Sequence, residues 1–265
     1  FATRALSALV MLFVAATAVY FDSAGLHVFW LFCQTTMLFE LTGVLSKKIF
    51  CQKPIFYFSY FSTFLFTFSR ILAFQSAKTV QQCALFGFLA SILVLLINQG
   101  DELQEKLFQI TSLLFVNLVL FLSQFGHCVI KKQPGLICVS VLLVTVNDTF
   151  AYFCGKLFGR HKLTKVSPNK TVEGYVGGGV FTVLCLQLVL KLINLKFEID
   201  MPTKDLYIFA AYVAVLGPLG GLLASLIKRV FGVKDFGNLI PGHGGVTDRC
   251  DCQIISCFVL WMMME

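Results

Sequence analysis

Charge is what this chain has least of. Only 13% of its 265 residues are charged, against 57% hydrophobic and 29 phenylalanines, and a soluble domain cannot hide that much apolar surface. Cysteine pairs of metal or redox spacing are also missing. The ten cysteines include no C-x-x-C pair, and Cys33, Cys83, Cys138, Cys185 and Cys257 lie inside apolar stretches, where they read as small apolar side chains. The sequence has no low-complexity tract, long linker or internal repeat, which predicts one continuous membrane domain. The chain opens without Met and stops at Trp261-Met262-Met263-Met264-Glu265 while still apolar. Further sequence is therefore expected beyond both ends, and no signal peptide is assigned.

What the chain does have is apolar runs of membrane-crossing length, about 20 helical residues for a core of about 30 Å. Hydropathy predicts nine: Ala5–Phe21, Leu26–Leu45, Ile55–Phe74, Gln82–Asn98, Leu107–Ser123, Pro134–Gly155, Tyr175–Leu195, Leu206–Leu223 and Gln253–Met264. The fold class is an all-α polytopic membrane protein, with N-terminal helices over 1–133 and a region carrying two polar loops over 134–265. If every run crosses, 14 of the 21 Lys and Arg fall on one side, among them Arg4, Lys156, Lys165, Lys170 and Arg249, and 7 on the other, such as Arg70, Lys132 and Lys196. The excess predicts that the richer side is cytoplasmic. The loops Lys156–Gly174 and Ala224–Cys252 then face the cytoplasm together.

Ionisable residues inside apolar runs are expensive and mark candidate sites. Glu40 and Arg70 lie toward the ends of theirs, where snorkelling to the interface accounts for them. Asp148 follows Asn147 among polar Thr145 and Thr149 and leads into Ala151-Tyr152-Phe153-Cys154-Gly155, so it reads as functional. In the first loop, Ser167-Pro168 has the look of an N-cap and N1 pair. A helix beginning there would present free N–H groups to phosphate, with Lys170 adding a charge. The plainer reading is an ordinary cytoplasmic loop. The second loop carries Ser225, Lys228, Arg229, Lys234, Asp235, Pro241-Gly242-His243-Gly244-Gly245 and Asp248-Arg249-Cys250-Asp251. Asp248 and Asp251, three apart, would share a face of a helical turn and could share a divalent cation. Gly242, Gly244 and Gly245 would let backbone N–H groups approach phosphate.

These residues resemble the phosphatidate cytidylyltransferase family. Its signature S-x-x-K-R, K-D, P-x-H-G-G-x-x-D-R-x-D is matched from Ser225 to Asp251, and its upstream block N-D-x-x-A-Y-x-x-G, G-R, S-P-x-K-T-x-E-G from Asn147 to Gly174. Val172 stands where the family usually has Trp, Cys250 where a larger apolar residue is usual, and Gly221 and Ala224 where bacterial members often carry acids. The Gly-Gly form resembles the eukaryotic branch.

The resemblance implies transfer of a cytidylyl group from CTP to phosphatidic acid at the cytoplasmic face of the bilayer, giving CDP-diacylglycerol and pyrophosphate. It implies Mg²⁺, with room for a second metal ion, at Asp148, Asp248 and Asp251. Lys170, Lys228, Arg229 and Arg249 are expected to hold phosphates, Asp235 and His243 to belong to the catalytic loop with Lys234 paired to Asp235, and Ser167, Ser225, Lys234, Gly244 and Gly245 to line substrate. The expected setting is the endoplasmic reticulum membrane, with no nucleic acid partner and a homodimer as the candidate assembly. Two other classes fit parts of the pattern: a CTP-dependent polyprenol-type kinase, which attacks the γ-phosphorus, and a polytopic transporter. Further expectations are that Asp148 approaches Asp248 or Asp251, that Asp→Asn at 248 or 251 removes activity while sparing the fold, and that Gly174 and Gly178 thin a helix beside a lateral lipid entry.

Overall fold

The computed structural model describes residues 2–46, 118–119, 122–164 and 166–265. Its elements are helices: α1 Ala2–Tyr20, α2 Asp22–Ser46, α3 Pro134–Phe158, α4 Val172–Leu184, α5 Leu186–Ile193, α6 Thr203–Val230 and α7 Thr247–Met264. Residues 122–132 are also helical and run into α3 through Gln133. Among the described residues there is no strand, only isolated bridges at Lys162–Thr171 and Ile240–Gly244.

Helices Thr3–Tyr20, Pro134–Phe158 and Thr203–Val230 are long and apolar enough to cross a bilayer, and α4 with α5, bent by 48° at their junction, are together long and apolar enough for a broken span or a re-entrant loop. The chain is a membrane protein. The expected runs Leu26–Leu45 and Gln253–Met264 are helical within α2 and α7; α7, with Asp248, Arg249 and Asp251, is less apolar than α6, whereas α2 matches α6 in apolarity although it carries Asp22, His27, Gln34 and Glu40. Ile55–Phe74, Gln82–Asn98 and Arg70 lie outside the described residues, as does Leu107–Ser123 but for its last few positions. The expected count of nine crossings thus becomes three to four among the described residues.

The core is built where helical spacing brings apolar residues to one line. Leu136, Val139 and Leu143 of α3 meet Phe209, Ala210 and Val213 of α6, Leu186 and Val189 of α5, and Cys257 and Leu260 of α7. All are buried, whereas Leu6, Leu9 and Phe13 of α1 are 65%, 63% and 73% exposed. An apolar outer face of this kind suits lipid rather than water. Cys33, Cys138 and Cys257 are buried free thiols, as apolar filling requires.

The two ends of the bundle differ. Lys196 pairs with Asp22 at 2.9 Å, Lys132 with Glu265 at 2.8 Å, and the Gln133 amide donates to the Asp200 carbonyl at 2.9 Å. At the opposite end, Arg4, Lys234 and Arg249 line one cavity and Lys156 and Lys170 another.

Close helix contacts fix that second end. A Cβ at Gly178 would lie 2.8 Å from the Asn147 carbonyl oxygen and 2.9 Å from the Ala151 Cβ, and one at Gly174 would lie 2.6 Å from the Ala151 carbonyl. Small residues thus seat α4 against α3. This corrects the expectation of a thinned face open to lipid: the glycine face is filled by α3. Gly178→Val is expected to overpack this contact and lower stability by about 1–3 kcal/mol, read as a lower midpoint of thermal unfolding in detergent with the helical signal retained.

Candidate active site

The first motif loop is closed around Thr171. Its hydroxyl accepts the Gly174 N–H at 3.1 Å and caps α4, and a Cβ at Gly155, Gly159 or Gly174 would lie 2.9 Å from that same oxygen. The loop is pinned further by Leu163 N–H to the Lys170 carbonyl at 2.8 Å and Val172 N–H to the His161 carbonyl at 2.9 Å. Glu173 receives the His161 ring at 2.6 Å. The helix therefore starts at Val172 and not near Ser167 as the Ser-Pro pair suggested. Ser167-Pro168-Asn169 makes a turn, closed by Lys170 N–H on the Ser167 carbonyl at 3.0 Å, and Lys170 precedes the cap. Lys165 lies outside the described residues.

From this turn Lys170 reaches across to α6 and α7. A Cβ at Gly221 would be 3.0 Å from Lys170 Nζ, 3.3 Å from Cys252 Sγ and 3.7 Å from Asp251 Oδ2. Asp148 and Asp251 lie within electrostatic range of each other and of Lys170, and Asp148 also of Arg249. Asp251 is drawn into this group because the backbones of α6 and α7 touch, a Cβ at Gly220 standing 2.6 Å from the Asp251 carbonyl. The structure thus brings Asp148, Lys170 and Asp251 together beside a cavity of about 410 Å³ lined by Asn147, Asp148, Tyr152, Ser167, Lys170 and Tyr175.

Asp248 is engaged differently from Asp251. Its carboxylate takes Lys228 Nζ at 2.6 Å, Phe236 N–H at 2.9 Å and Gly245 N–H at 3.0 Å. Both side chains of the ion pair are largely buried, at 14% and 6% exposure. Spacing of three on a helix does not give the two aspartates the same partners here, because Asp248 serves Lys228 of α6 and two backbone amides of its own loop. Among the described residues, no three His, Cys, Asp or Glu side chains form a closed metal-binding group.

The α6 helix runs on to Val230, so Ser225, Lys228 and Arg229 belong to its last turns and not to a loop. Ser225 donates its hydroxyl back to the Gly221 carbonyl at 2.7 Å, while Arg229 stands exposed. Beyond α6, a second cavity of about 490 Å³ is lined by Arg4, Lys234, Asp235, His243, Gly244 and Arg249. Among the described residues Lys234 and Asp235 form no ion pair; Asp235 packs on Gly244, 3.2 Å from where its Cβ would be. His243 Nδ1 bonds Ser7 Oγ at 2.8 Å, and its carbonyl accepts from Arg249 at 2.7 Å. Gly245 does not offer its N–H to phosphate, since Asp248 already receives it.

Sequence reasoning missed Arg4, Ser7 and Glu40. Glu40 is no snorkelling residue. Its carboxylate accepts the N–H groups of Val246 at 2.9 Å and Thr247 at 2.8 Å. Pairing with residues some 200 positions distant leaves no local spacing to read.

A family model, the cytidylyltransferase family, matches residues 2–265. This chain belongs to the cytidylyltransferase family. It is 33% identical over 223 residues to the phosphatidate cytidylyltransferase of Staphylococcus saprophyticus, covering 71% of this chain and 84% of that protein. It is 34% identical over 197 residues to the phosphatidate cytidylyltransferase of Saccharomyces cerevisiae, covering 56% of this chain and 43% of that protein. It is 27% identical over 267 residues to phosphatidate cytidylyltransferase 1 of Arabidopsis thaliana, covering 78% of this chain and 63% of that protein. The chain thus spans only part of these eukaryotic relatives, about half of their length.

Within this candidate site, Asp248 carries a structural prediction that revises the expectation of an Asp→Asn change that spares the fold. Lys228→Met leaves a buried carboxylate unpaired and is expected to cost about 3–5 kcal/mol. Asp248→Asn is expected to cost about 1–3 kcal/mol through its weakened loop bonds. The double variant Lys228→Met/Asp248→Leu should lose less than the sum of its parts in chemical unfolding.

Proposed function

We propose that this chain carries the catalytic region of an enzyme that transfers the cytidylyl group of CTP to phosphatidic acid, giving CDP-diacylglycerol and pyrophosphate. The observation that supports this reading most directly is Lys170 Nζ beside Asp251 over the bare Gly221 backbone, with Asp148 in electrostatic range of both, next to a cavity that Asp148 and Lys170 line. The names of its relatives point the same way.

In the reaction a phosphate oxygen of the lipid attacks the α-phosphorus of CTP. The new P–O bond forms as the bond to the β-phosphate oxygen breaks, and pyrophosphate leaves with that electron pair. Gathering two anions and stabilising the leaving group are electrostatic tasks. Lys170 stands where it can hold the CTP phosphates, and Arg249, Lys234 and Arg4 line the neighbouring cavity for the lipid phosphate or pyrophosphate.

Two convergent carboxylates suit Mg²⁺, which is usually held by one or two carboxylates together with substrate phosphates. Asp148 and Asp251 would hold it, and it would supply positive charge shared between the two phosphate groups. The proposed setting is the endoplasmic reticulum membrane, with the Arg4, Lys170 and Arg249 end facing the cytoplasm. The charge sorting supports that orientation, and the eukaryotic-like Gly-Gly motif supports that membrane.

CTP labelled at either the α- or the γ-phosphorus tests the reading. With phosphatidate and Mg²⁺, the α-label is expected in the lipid product and the γ-label in pyrophosphate. A γ-label in lipid would identify a kinase instead. Asp251→Asn is expected to lower turnover at least about a hundredfold at saturating Mg²⁺.

A further inference from the structure

We propose that Glu40, on α2 and outside both motifs, is a positioning residue for the proposed transfer, fixing the start of α7 and with it the direction in which Arg249 and Asp251 face the site. The inference rests on the functional reading above and deepens it.

Helix α7 begins without a side-chain cap of its own; the residue before it is Val246. Glu40 fills that role from the distant α2, receiving the N–H groups of Val246 and Thr247, one on each oxygen. A carboxylate at a helix N-terminus is favoured by the unpaired N–H groups and the positive end of the dipole. Val246 is the pivot. Its N–H is held by Glu40 while its carbonyl accepts the N–H groups of Arg249 at 2.9 Å and Cys250 at 3.1 Å. A shift of Val246 is therefore passed to the residues that meet Lys170 and Asp148.

The motif is shaped to admit this carboxylate. A Cβ at Gly237 or Gly245 would stand 2.5 Å from a Glu40 oxygen. The second glycine of the Gly-Gly pair is thus a seat for Glu40. The cavity at Lys170 is lined by the first loop, α3 and α4, with Pro218 of α6, and by neither residue that Glu40 bonds, so nucleotide affinity and turnover should separate.

The test compares wild type, Glu40→Gln and Glu40→Asp as full-length protein in detergent and phosphatidate micelles. Gln keeps the volume but turns an amide N–H₂ toward one of the two backbone donors. Its kcat is expected to fall about tenfold or more, with KM for CTP within about twofold, and Asp, which keeps the charge, should recover part of the loss. Hydrogen exchange at the Val246 and Thr247 amides should quicken in Glu40→Gln. Gly245→Ala should reproduce the kcat loss, and its combination with Glu40→Gln should cost no more than either alone. Wild-type kcat in Glu40→Gln, unchanged amide exchange, or additive losses would each overturn the proposal. If Glu40→Gln does not fold, Glu40→Asp against wild type carries the same comparisons. Wild-type protein that makes no CTP-dependent product would overturn the functional reading instead, and the amide exchange would still decide what Glu40 holds.

Discussion

The buried carboxylate of Asp248 holds the chain between α6 and α7 in one shape. It sits in the first turn of α7, takes the ammonium of Lys228 from the last turns of α6, and receives two backbone N–H groups from the connecting segment. Lys228 also lies 5.4 Å from the centre of the Phe236 ring, so the same cation is wrapped by the segment it closes. A buried ion pair is stable only when extra hydrogen bonds satisfy its remaining lone pairs, and here the loop backbone supplies them. With that closure made, Arg249 and Asp251 have a fixed origin, and His243 is held against Ser7 of α1.

Glycines in both motifs turn out to be spaces for other side chains. Gly155, Gly159 and Gly174 leave room for Thr171, Gly244 for Asp235, and Gly245 for Glu40. Gly242 and Gly244 also have φ of +76° and +84°, where a side chain would be strained. At Gly242 the Arg4 stem occupies the space a Cβ would need, 2.7 Å from it. A glycine-rich loop beside cations suggests a phosphate nest from sequence alone. In the folded chain the same glycines let these elements approach one another.

How much could be read in advance follows from the range of each interaction. The helical class and the lines of α1, α3 and α6 were legible because hydropathy is a local, repeated signal. Asp148 was legible because a carboxylate in an apolar run is rare. The start of α4 was misplaced because Ser167-Pro168 and Thr171 both suit a helix entrance, and the choice is made by Gly155, Gly159 and Gly174 packing on Thr171. The role of Asp248 was hidden by its neighbour: a three-residue spacing predicts a shared face, but cannot tell that Lys228 and two amides already claim one of the pair. Glu40 was misread for want of any local partner.

The bare backbone at Gly221 shows how these constraints meet. Bacterial members of the family that this chain resembles often carry acids in this stretch, whereas here Lys170 Nζ stands 3.0 Å from the position of the missing Cβ. A side chain at 221 would push that ammonium away from Asp251. Lys228 is neutralised by Asp248, which leaves Arg4, Lys156, Lys170, Lys234 and Arg249 around the two cavities against Asp148, Asp235 and Asp251. Five cations against three carboxylates leave surplus positive charge at this end of the bundle, and like charges gathered there repel one another. On the proposed function, substrate phosphates would supply the negative charge that offsets this surplus. The bare Gly221 backbone that lets Lys170 stand beside Asp251 would then leave the balancing charge to come from the substrates.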